Sequence, residues 1–256
     1  MKKSPAMVAP CASIPRMDSR AASPQRSTSI ISPDLAIPDY LQQTYWWAYI
    51  HPSGVRFFER QWLVNAILWG NFSRLRDAAL AEMGIPISGE ILQVACVYGN
   101  LTPRLADRLA PGARLHVIDI APVQLKNLQS KLGRRPNVCL HHQDSTRLSF
   151  EEGQFDQVLL FFLLHEQPAG IREQTIAEAL RVVKPGGRVI FVDYHRPAWT
   201  NPFRYIMIPI LKTLEPFALD TWNQEITAWL PEGLTPASLH KETFFGGLYQ
   251  KVVITR

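Results

Sequence analysis

The segment 90–102, which reads EILQVACVYGNLT, is where residue types and spacing first suggest chemistry. Residues 91–94 form a short apolar run that predicts a buried strand, and from Leu101 the apolar positions have helical spacing. A turn between a parallel strand and a helix is where doubly wound folds hold a cofactor. Asp119 ends the next apolar run about 20 residues later, where such folds place a carboxylate on a ribose hydroxyl. The sequence therefore predicts a nucleotide-type site at this turn.

The turn has an unusual composition. Glycine is favoured there because it allows a positive φ and lets the backbone approach a ligand. Only Gly99 remains, and Ala95, Val97 and Tyr98 occupy the neighbouring positions. Gln93, a neutral residue, stands near the end of the strand. We expect this turn to hold its ligand differently from a glycine-rich turn, or not at all.

From residue 90 onward, strand and helix patterns alternate, which is typical of a parallel sheet. The predicted strands are 91–94, 115–119, 138–141, 158–164 and 188–193, with helices at 122–131 and 171–183 and a helix-ending segment KPGG at 184–187. Residues 201–229 predict a helical insertion interrupted at Pro209 and Pro216, and residues 244–254 predict an antiparallel hairpin. The expected fold is α/β, with a three-layer Rossmann-like arrangement, a mostly parallel seven-stranded sheet and a helical substrate cover.

The region 39–80 is rich in aromatic residues and precedes the first strand. Residues 45–49 read YWWAY, and residues 55–80 have two apolar stripes at helical spacing, so we predict one long helix there. A helix that is apolar around much of its circumference is buried, covers a hydrophobic ligand or lies in a lipid surface. The simplest alternative is an N-terminal helix packed on the sheet.

Composition and charge limit the possible functions. The chain has 256 residues and a formal net charge of +5, of which residues 1–34 carry +3, so the folded part is not expected to bind nucleic acid. We predict a basic Ser/Pro-rich disordered tail at 1–38, for which an organelle transit peptide is the alternative. An aromatic helical cap follows at 39–85, and the cofactor-binding domain at 86–256 includes an insertion at 200–230. No apolar run approaches the roughly 18 residues of a membrane-spanning helix.

These features together resemble class I S-adenosylmethionine (SAM)-dependent methyltransferases. The shared motifs are the turn at 94–99, the carboxylate of Asp119, Asp144 after the third strand, the pair Phe155-Asp156 before an apolar strand, and KPGG before the fifth strand. The resemblance covers about 90–255. It implies that SAM is the cofactor.

A narrower resemblance covers residues 45–255, which are similar to the rhodoquinone biosynthesis methyltransferase-like family. The segments that carry it are VACVYG (94–99), YWWAY (45–49), FFERQW (57–62), LFFLLHEQ (160–167), VDYHRP (192–197), LEPFALD (214–220) and FGGLYQK (245–251). This resemblance implies an enzyme that replaces a methoxy group of ubiquinone with an amino group, with SAM as amino donor and a divalent metal such as manganese as a further requirement.

Candidate site residues follow from these motifs. The expected SAM contacts are Gln93, Ala95, Cys96, Val97, Gly99, Asp119, Ile120, Asp144, Ser145 and Leu164. The expected catalytic residues are Tyr98, His165 and Tyr194, with His165 as a general base or a contact to a quinone oxygen. The expected quinone contacts are Trp46, Tyr49, Trp62, His195, Phe203 and Tyr205. Glu166 and His165, with Asp193 or His195, could hold a divalent ion, or the metal could bind to substrate oxygens. No two of these residues have an established metal-ligand spacing, so the metal ligands stay unassigned.

Gln93, Val97 and Tyr98 suggest how the reaction could differ from methyl transfer. A neutral Gln93 favours a charged amine less than an acidic residue would, and the two larger side chains would shift the methionine part of SAM. Our hypothesis is that together they present an uncharged amine to the quinone ring. The alternatives are a conventional C- or O-methyltransferase of a lipophilic aromatic substrate and an inactive binding partner with the same fold.

A substrate dissolved in a bilayer implies peripheral association with a membrane. We expect the cytoplasmic face of a bacterial inner membrane, or alternatively the matrix side of the mitochondrial inner membrane.

Overall fold

The sheet of this protein has the strand order β3-β2-β1-β4-β5-β7-β6. The computed structural model describes residues 35–256. The strands in this part of the chain are β1 Glu90–Val94, β2 Arg114–Asp119, β3 Val138–His142, β4 Phe155–Phe161, β5 Val183–Tyr194, β6 Ser238–Phe244 and β7 Tyr249–Thr255. Strands β1 to β5 pair in parallel, and β7 pairs antiparallel with both β5 and β6. The predicted fold class is confirmed.

The strand order reverses between β1 and β4, which is where open α/β sheets bind ligands. The register places Val94 opposite both Ile118 and Leu160, so β1, β2 and β4 end at nearly the same level. The turn after β1, the carboxylate of Asp119 and the segment after β4 therefore meet at one edge of the sheet.

Helices cover both faces of the sheet and its ligand-binding edge. They are α1 Asp39–Thr44, α2 Pro52–Phe58, α3 Gln61–Ile67, α4 Phe72–Met83, α5 Leu101–Asp107, α6 Pro122–Leu132, α7 Ala169–Val182, α8 Phe203–Leu214 and α9 Asp220–Asn223. Shorter helical turns are the π-helical turn Trp46–Ile50 and the 3-10 turns Leu164–Glu166 and Ile226–Trp229. One apolar cluster lies on each side of the sheet, the larger including α4 and α5 and the other including α7.

The single helix predicted at 55–80 is wrong. The chain forms α2, α3 and α4 instead, because Arg60 is extended (φ −66°, ψ 119°) and Trp69 has a left-handed φ of 51°. These breaks change which side chains of the predicted apolar stripes face the core. Val64 is buried, whereas Trp62 is 63% exposed.

Several predicted boundaries also move. Strand β4 ends at Phe161 because Phe162 has a left-handed φ of 54°, and Leu164 belongs to a 3-10 turn. Strand β5 begins at Val183 and includes the segment KPGG, which was expected to precede it. Pro209 lies inside α8 without ending it.

None of the helices within residues 35–256 is both long enough and apolar enough to cross a membrane. The predictions made for residues 1–34, a disordered tail or a transit peptide, lie outside the described residues.

Candidate cofactor and substrate pocket

A single pocket runs along the ligand-binding edge of the sheet. Its floor comes from the turn after β1, the end of β2 and the segments after β3, β4 and β5. Its cover comes from the π-helical turn and from residues of α1, α2 and α3. The wall includes these predicted site residues: Tyr49, Ala95, Cys96, Val97, Tyr98, Asp119, Ile120, Ser145, His165 and Tyr194.

The turn after β1 keeps a glycine-like backbone with larger residues. Ala95 has a φ of 70°, a conformation that favours glycine, and Gly99 has a φ of 77°. The buried Gln93 side chain stabilises this turn, because its Nε2 donates to the Ala95 carbonyl at 2.9 Å and its Oε1 accepts from the Thr102 hydroxyl at 3.0 Å. Gln93 therefore acts within the protein, and neither it nor Gly99 lies on the pocket wall.

Tyr98 joins the turn to the helical cover. Its ring stacks on Tyr49 with a centroid distance of 5.6 Å and an interplanar angle of 8°. Its hydroxyl donates to the Ala48 carbonyl at 2.6 Å and accepts from Gln124 Nε2 at 2.7 Å. Burial raises the pKa of Tyr98, so the phenol stays protonated. In this position Tyr98 shapes the pocket between the turn and the cover.

Asp119 has the environment expected of a ribose-binding carboxylate. Its Oδ2 accepts from the Cys96 amide and its Oδ1 from the Ala121 amide, both at 2.8 Å. Each oxygen retains a further lone-pair site that a ligand hydroxyl can use. Burial raises the pKa of Asp119, and the two backbone amides partly offset this increase. The carboxylate is thus held in a fixed orientation at the edge of the pocket.

Asp144 and Ser145, which were both expected to contact SAM, differ in their environments. Asp144 Oδ1 accepts from the amide and the hydroxyl of Thr146 at 2.8 and 2.9 Å, so this carboxylate stabilises its own turn. Ser145 lines the pocket and its hydroxyl contacts the Thr175 hydroxyl at 2.8 Å. Gln143, which was not predicted, also lines this end.

His165, on the pocket wall, forms a buried pair with Asp193. His165 Nδ1 lies 2.9 Å from Asp193 Oδ1, and Asp193 Oδ2 accepts from the Leu164 amide at 2.9 Å. Burial alone would lower the pKa of His165, but the charge and hydrogen bond of Asp193 more than offset it and raise that pKa to about 9. The raised pKa favours the protonated form of His165, which suits the predicted contact to a quinone oxygen better than the predicted role of a general base. Leu164 itself is buried and does not line the pocket.

Two glutamates on the pocket wall were not among the predicted catalytic or substrate-binding residues. Glu166 accepts a short hydrogen bond from the Tyr49 hydroxyl, and its Oε1 lies 3.9 Å from His165 Nε2. Glu215, directly after α8, lines the same pocket. Burial raises the pKa of Glu166 to about 8 and also raises the pKa of Glu215.

Sequence reasoning gave neither Glu166 nor Glu215 a catalytic or substrate-binding role, for different reasons. Glu166 directly follows His165 and could have been found at the end of the strand. Glu215 is brought to the pocket only by the fold of α8. The tyrosines Tyr40 and Tyr45 reach the wall in the same way from α1.

Most of the predicted quinone contacts do not reach the pocket. Trp46, Trp62 and Tyr205 are more than half exposed, because the π-helical turn and the break at Arg60 direct the two tryptophans outward. The ring of Phe203 instead packs against Trp69. His195 Nδ1 contacts the Gly247 carbonyl at 2.7 Å and its Nε2 lies 2.9 Å from Lys241 Nζ, so it belongs to the β6–β7 side.

Within residues 35–256, no group of three His, Cys, Asp or Glu residues could hold a metal ion. The described residues therefore offer no three-ligand protein site for the divalent metal that the family resemblance implied.

Residues 91–187 match a family model described as a methyltransferase domain. This segment is therefore similar to methyltransferase domains. Solved structures agree with the fold. An O-methyltransferase family protein from Burkholderia thailandensis has a TM-score of 0.55 at 15% identity, with 77% of this chain and 59% of that chain covered. The N-methyltransferase NodS from Bradyrhizobium japonicum has a TM-score of 0.51 at 18% identity, with 72% and 95% covered.

Curated relatives extend the similarity beyond residues 91–187. A demethylmenaquinone methyltransferase from Beutenbergia cavernae is 28% identical over 73% of this chain and 78% of its own length. A demethylmenaquinone methyltransferase from Staphylococcus aureus strain JH9 is 30% identical over 53% of this chain and 55% of its own length. The chain thus spans about half the length of the S. aureus relative.

Proposed function

We propose that this protein is a SAM-dependent transferase that modifies the ring of a quinone-type lipid. The observation that carries the proposal is the continuity of the pocket. One cavity joins the fixed carboxylate of Asp119 to a chamber with the rings of Tyr49, Phe58 and Tyr98. A planar ring can stack on these aromatic side chains, and the apolar cover suits an isoprenoid tail. The demethylmenaquinone methyltransferases among its relatives support a quinone-type substrate.

The methyltransferase domain would hold SAM with the turn after β1, Asp119 and Ser145. Asp119 would accept hydrogen bonds from ribose hydroxyls, and the turn would lie beside the methionine part. When bound, SAM supplies an electrophilic methyl group. Methyl transfer to a quinone-type ring is the reaction that the relatives support best, and it is our first candidate.

Amino transfer to ubiquinone, with rhodoquinone as product, is the second candidate. The composition of the turn is the specific observation in its favour. Gln93 has no carboxylate to pair with the ammonium of SAM. Its side-chain amide instead donates to the Ala95 carbonyl and accepts from the Thr102 hydroxyl. Val97 and Tyr98 narrow the pocket where the methionine part would lie. Both features would change the orientation of the SAM amine relative to the quinone ring.

One labelling experiment separates the two reactions. Purified protein is incubated with ubiquinone or a demethylated menaquinol in vesicles, with SAM labelled in the methyl group in one arm and with ¹⁵N in the amino group in the other. Methyl transfer moves only the methyl label to the quinone, and amino transfer moves only the ¹⁵N label. A protein that binds SAM but moves neither label would contradict the proposed function and favour an inactive binding partner.

We also propose that the protein reaches its substrate at a membrane surface, at a bacterial or mitochondrial inner membrane. The exposed apolar side chains Trp62, Ile67 and Trp69 and those of α8 (Tyr205, Ile206, Ile210 and Leu214) form what we call the apolar face. Its two parts adjoin because the Trp69 ring lies 4.8 Å from the Phe203 ring and its Nε1 donates to Met207 Sδ at 3.2 Å.

The pocket adjoins the apolar face. Ile67 belongs to both, since it lines the pocket and is 44% exposed. Residues 60–71 and 197–214 contain no Asp or Glu, whereas Arg60 and Lys212 are exposed there. Apolar and aromatic side chains flanked by cations suit a bilayer with anionic headgroups.

Flotation with vesicles of phosphatidylcholine and phosphatidylglycerol tests this surface. The wild type is expected to float with the vesicles, and Trp62→Ala with Ile206→Ala should lower the bound fraction about tenfold or more because apolar area is lost from the interface. The matched control is Ile85→Ala, which removes an apolar side chain that is 77% exposed near the opposite edge of the sheet. Wild-type protein that stays in the soluble fraction would contradict membrane association.

A further inference from the structure

The wall of the pocket opposite Asp119 carries a protonatable group that the proposed function leaves without a role. Glu166 lies in the 3-10 turn after β4, and its side chain is 12% exposed to the pocket. The Tyr49 hydroxyl fixes one of its oxygens. Tyr49 in turn stacks on Tyr98, so the carboxylate is positioned relative to the turn after β1.

Other polar groups on this wall are poorly suited to accept a proton. His165 is already protonated at neutral pH, because the pKa of this residue, which burial alone would lower, is raised to about 9 by Asp193. Both oxygens of Asp119 accept backbone amides at the end of the pocket assigned to the ribose. The phenols of Tyr98 and Tyr194 have pKa values raised by burial and stay protonated.

Glu166 loses its proton at a lower pH than His165, Tyr98 or Tyr194. Burial raises its pKa to about 8, the nearby charge of Glu215 adds to this rise, and protonated His165 and the Tyr49 hydrogen bond limit it. A carboxylate with a pKa near the working pH is effective in general acid–base catalysis. The titratable groups that act on Glu166 or respond to its charge are Tyr40, Tyr45, Tyr49, Tyr98, His165, Asp193, Tyr194 and Glu215.

We propose that Glu166 is the catalytic residue that accepts the proton released during the transfer, and that Tyr49 is its positioning residue. This inference rests on the proposed function. In methyl transfer, a bond forms between a ring carbon and the methyl group, and the carbon–sulfur bond breaks with its electron pair left on sulfur. The ring carbon then loses its proton to the Glu166 carboxylate.

The test is the pH dependence of label transfer to quinone in vesicles, measured with the labelled SAM described above. Wild-type turnover should rise with pH through a limb near the pKa of Glu166. Glu166→Gln keeps the size of the side chain and should lower turnover about 100- to 10,000-fold, with little change in affinity for S-adenosylhomocysteine by calorimetry. Glu166→Asp should recover part of the turnover. The matched control is Glu151→Gln, an exposed glutamate just before β4.

Tyr49→Phe provides a second readout that a purely structural role would not change. The Tyr49 hydrogen bond lowers the pKa of Glu166, so its loss should move the rising limb to higher pH. If the wild type is active, either of two results overturns this inference alone. One is a Glu166→Gln variant as active as the wild type, and the other is a rising limb in Tyr49→Phe at the same pH as in the wild type. A wild type that transfers no label overturns the proposed function and this inference with it.

Discussion

Asp119 is the residue whose sequence position and structural environment agree most closely. Its place at the end of the second strand, about 20 residues after the turn, follows from the periodicity of a doubly wound fold. The structure adds the two backbone amides that orient it. Glu166 could not be identified in the same way, because its role depends on Tyr49, which is 117 residues away in the chain.

Asp119→Asn should weaken binding of S-adenosylhomocysteine. The amide replaces one carboxylate oxygen with a donor, which can no longer accept from both the backbone and a ribose hydroxyl. Loss of a charge-assisted hydrogen bond costs about 1.5–3 kcal/mol, so we expect a dissociation constant about 10- to 150-fold higher. Calorimetric titration measures this, with the exposed Asp107→Asn as control. Unchanged affinity would show that the ribose does not bind at Asp119.

Gln93→Glu with Tyr98→Thr tests whether the turn selects the reaction. If amino transfer is the reaction, restoring an acidic residue and a small residue should lower ¹⁵N transfer by about tenfold or more, because a carboxylate favours the charged amine. Mass analysis of the extracted quinone gives the result.

Tyr98→Phe is the control for the double variant, since it loses the contacts to Ala48 and Gln124 but keeps the ring stack. If rhodoquinone formation survives the double substitution, the composition of the turn does not determine the reaction.

At the scale of elements, the parallel strands were predictable and the cover was not. Strands β1, β2 and β4 are buried apolar runs whose period and length identify them from local sequence. The helices α2 and α3 are short, and their boundaries depend on the backbone at Arg60 and Trp69. Tertiary packing decides which of their aromatic side chains turn inward, so the sequence placed Trp62 in the pocket when it lies outside.

Arg172 connects α7 to the segments that carry the two glutamates. Its fully buried guanidinium donates to the carbonyls of Leu164, Gln167 and Phe217 at 2.8, 2.7 and 3.1 Å. It also lies 4.5 Å from the centre of the Trp229 ring. The 3-10 turn with Glu166 and the chain after α8 with Glu215 are thus held by one side chain.

Arg172→Ala should destabilise the protein by about 2–5 kcal/mol, because it leaves buried carbonyls without donors and removes the contact with Trp229. Denaturant unfolding measures the change in free energy, with the exposed Arg147→Ala as control. Arg172→Lys should retain only part of the stability, since an ammonium group cannot reproduce the planar fork of donors. Loss of less than about 1 kcal/mol in the alanine variant would contradict this account.

For the molecule as a whole, buried titratable groups predict how stability depends on pH without ligand. His141 has a pKa lowered to about 4 by burial and by the charge of His116. Its unfolded value is about 6.5, so His141 by itself contributes a loss of stability as the pH falls from about 6.5 to 4. On the alkaline side, the pKa values of His165 and Glu166 are raised to about 9 and about 8.

The raised pKa values of His165 and Glu166 change the stability of the protein with pH in the same direction. Above the unfolded pKa, about 6.5 for His165 and about 4.3 for Glu166, the folded state binds more protons, so stability falls as pH rises to the folded value. Each group contributes a slope of up to about 1.4 kcal/mol per pH unit. We therefore expect the free energy of unfolding to decline between about pH 6.5 and 8, as measured by denaturant titration at several pH values. Glu166→Gln should flatten this decline. If the stability of the wild type instead rises across this range, Glu166 and His165 do not titrate as their burial and contacts indicate.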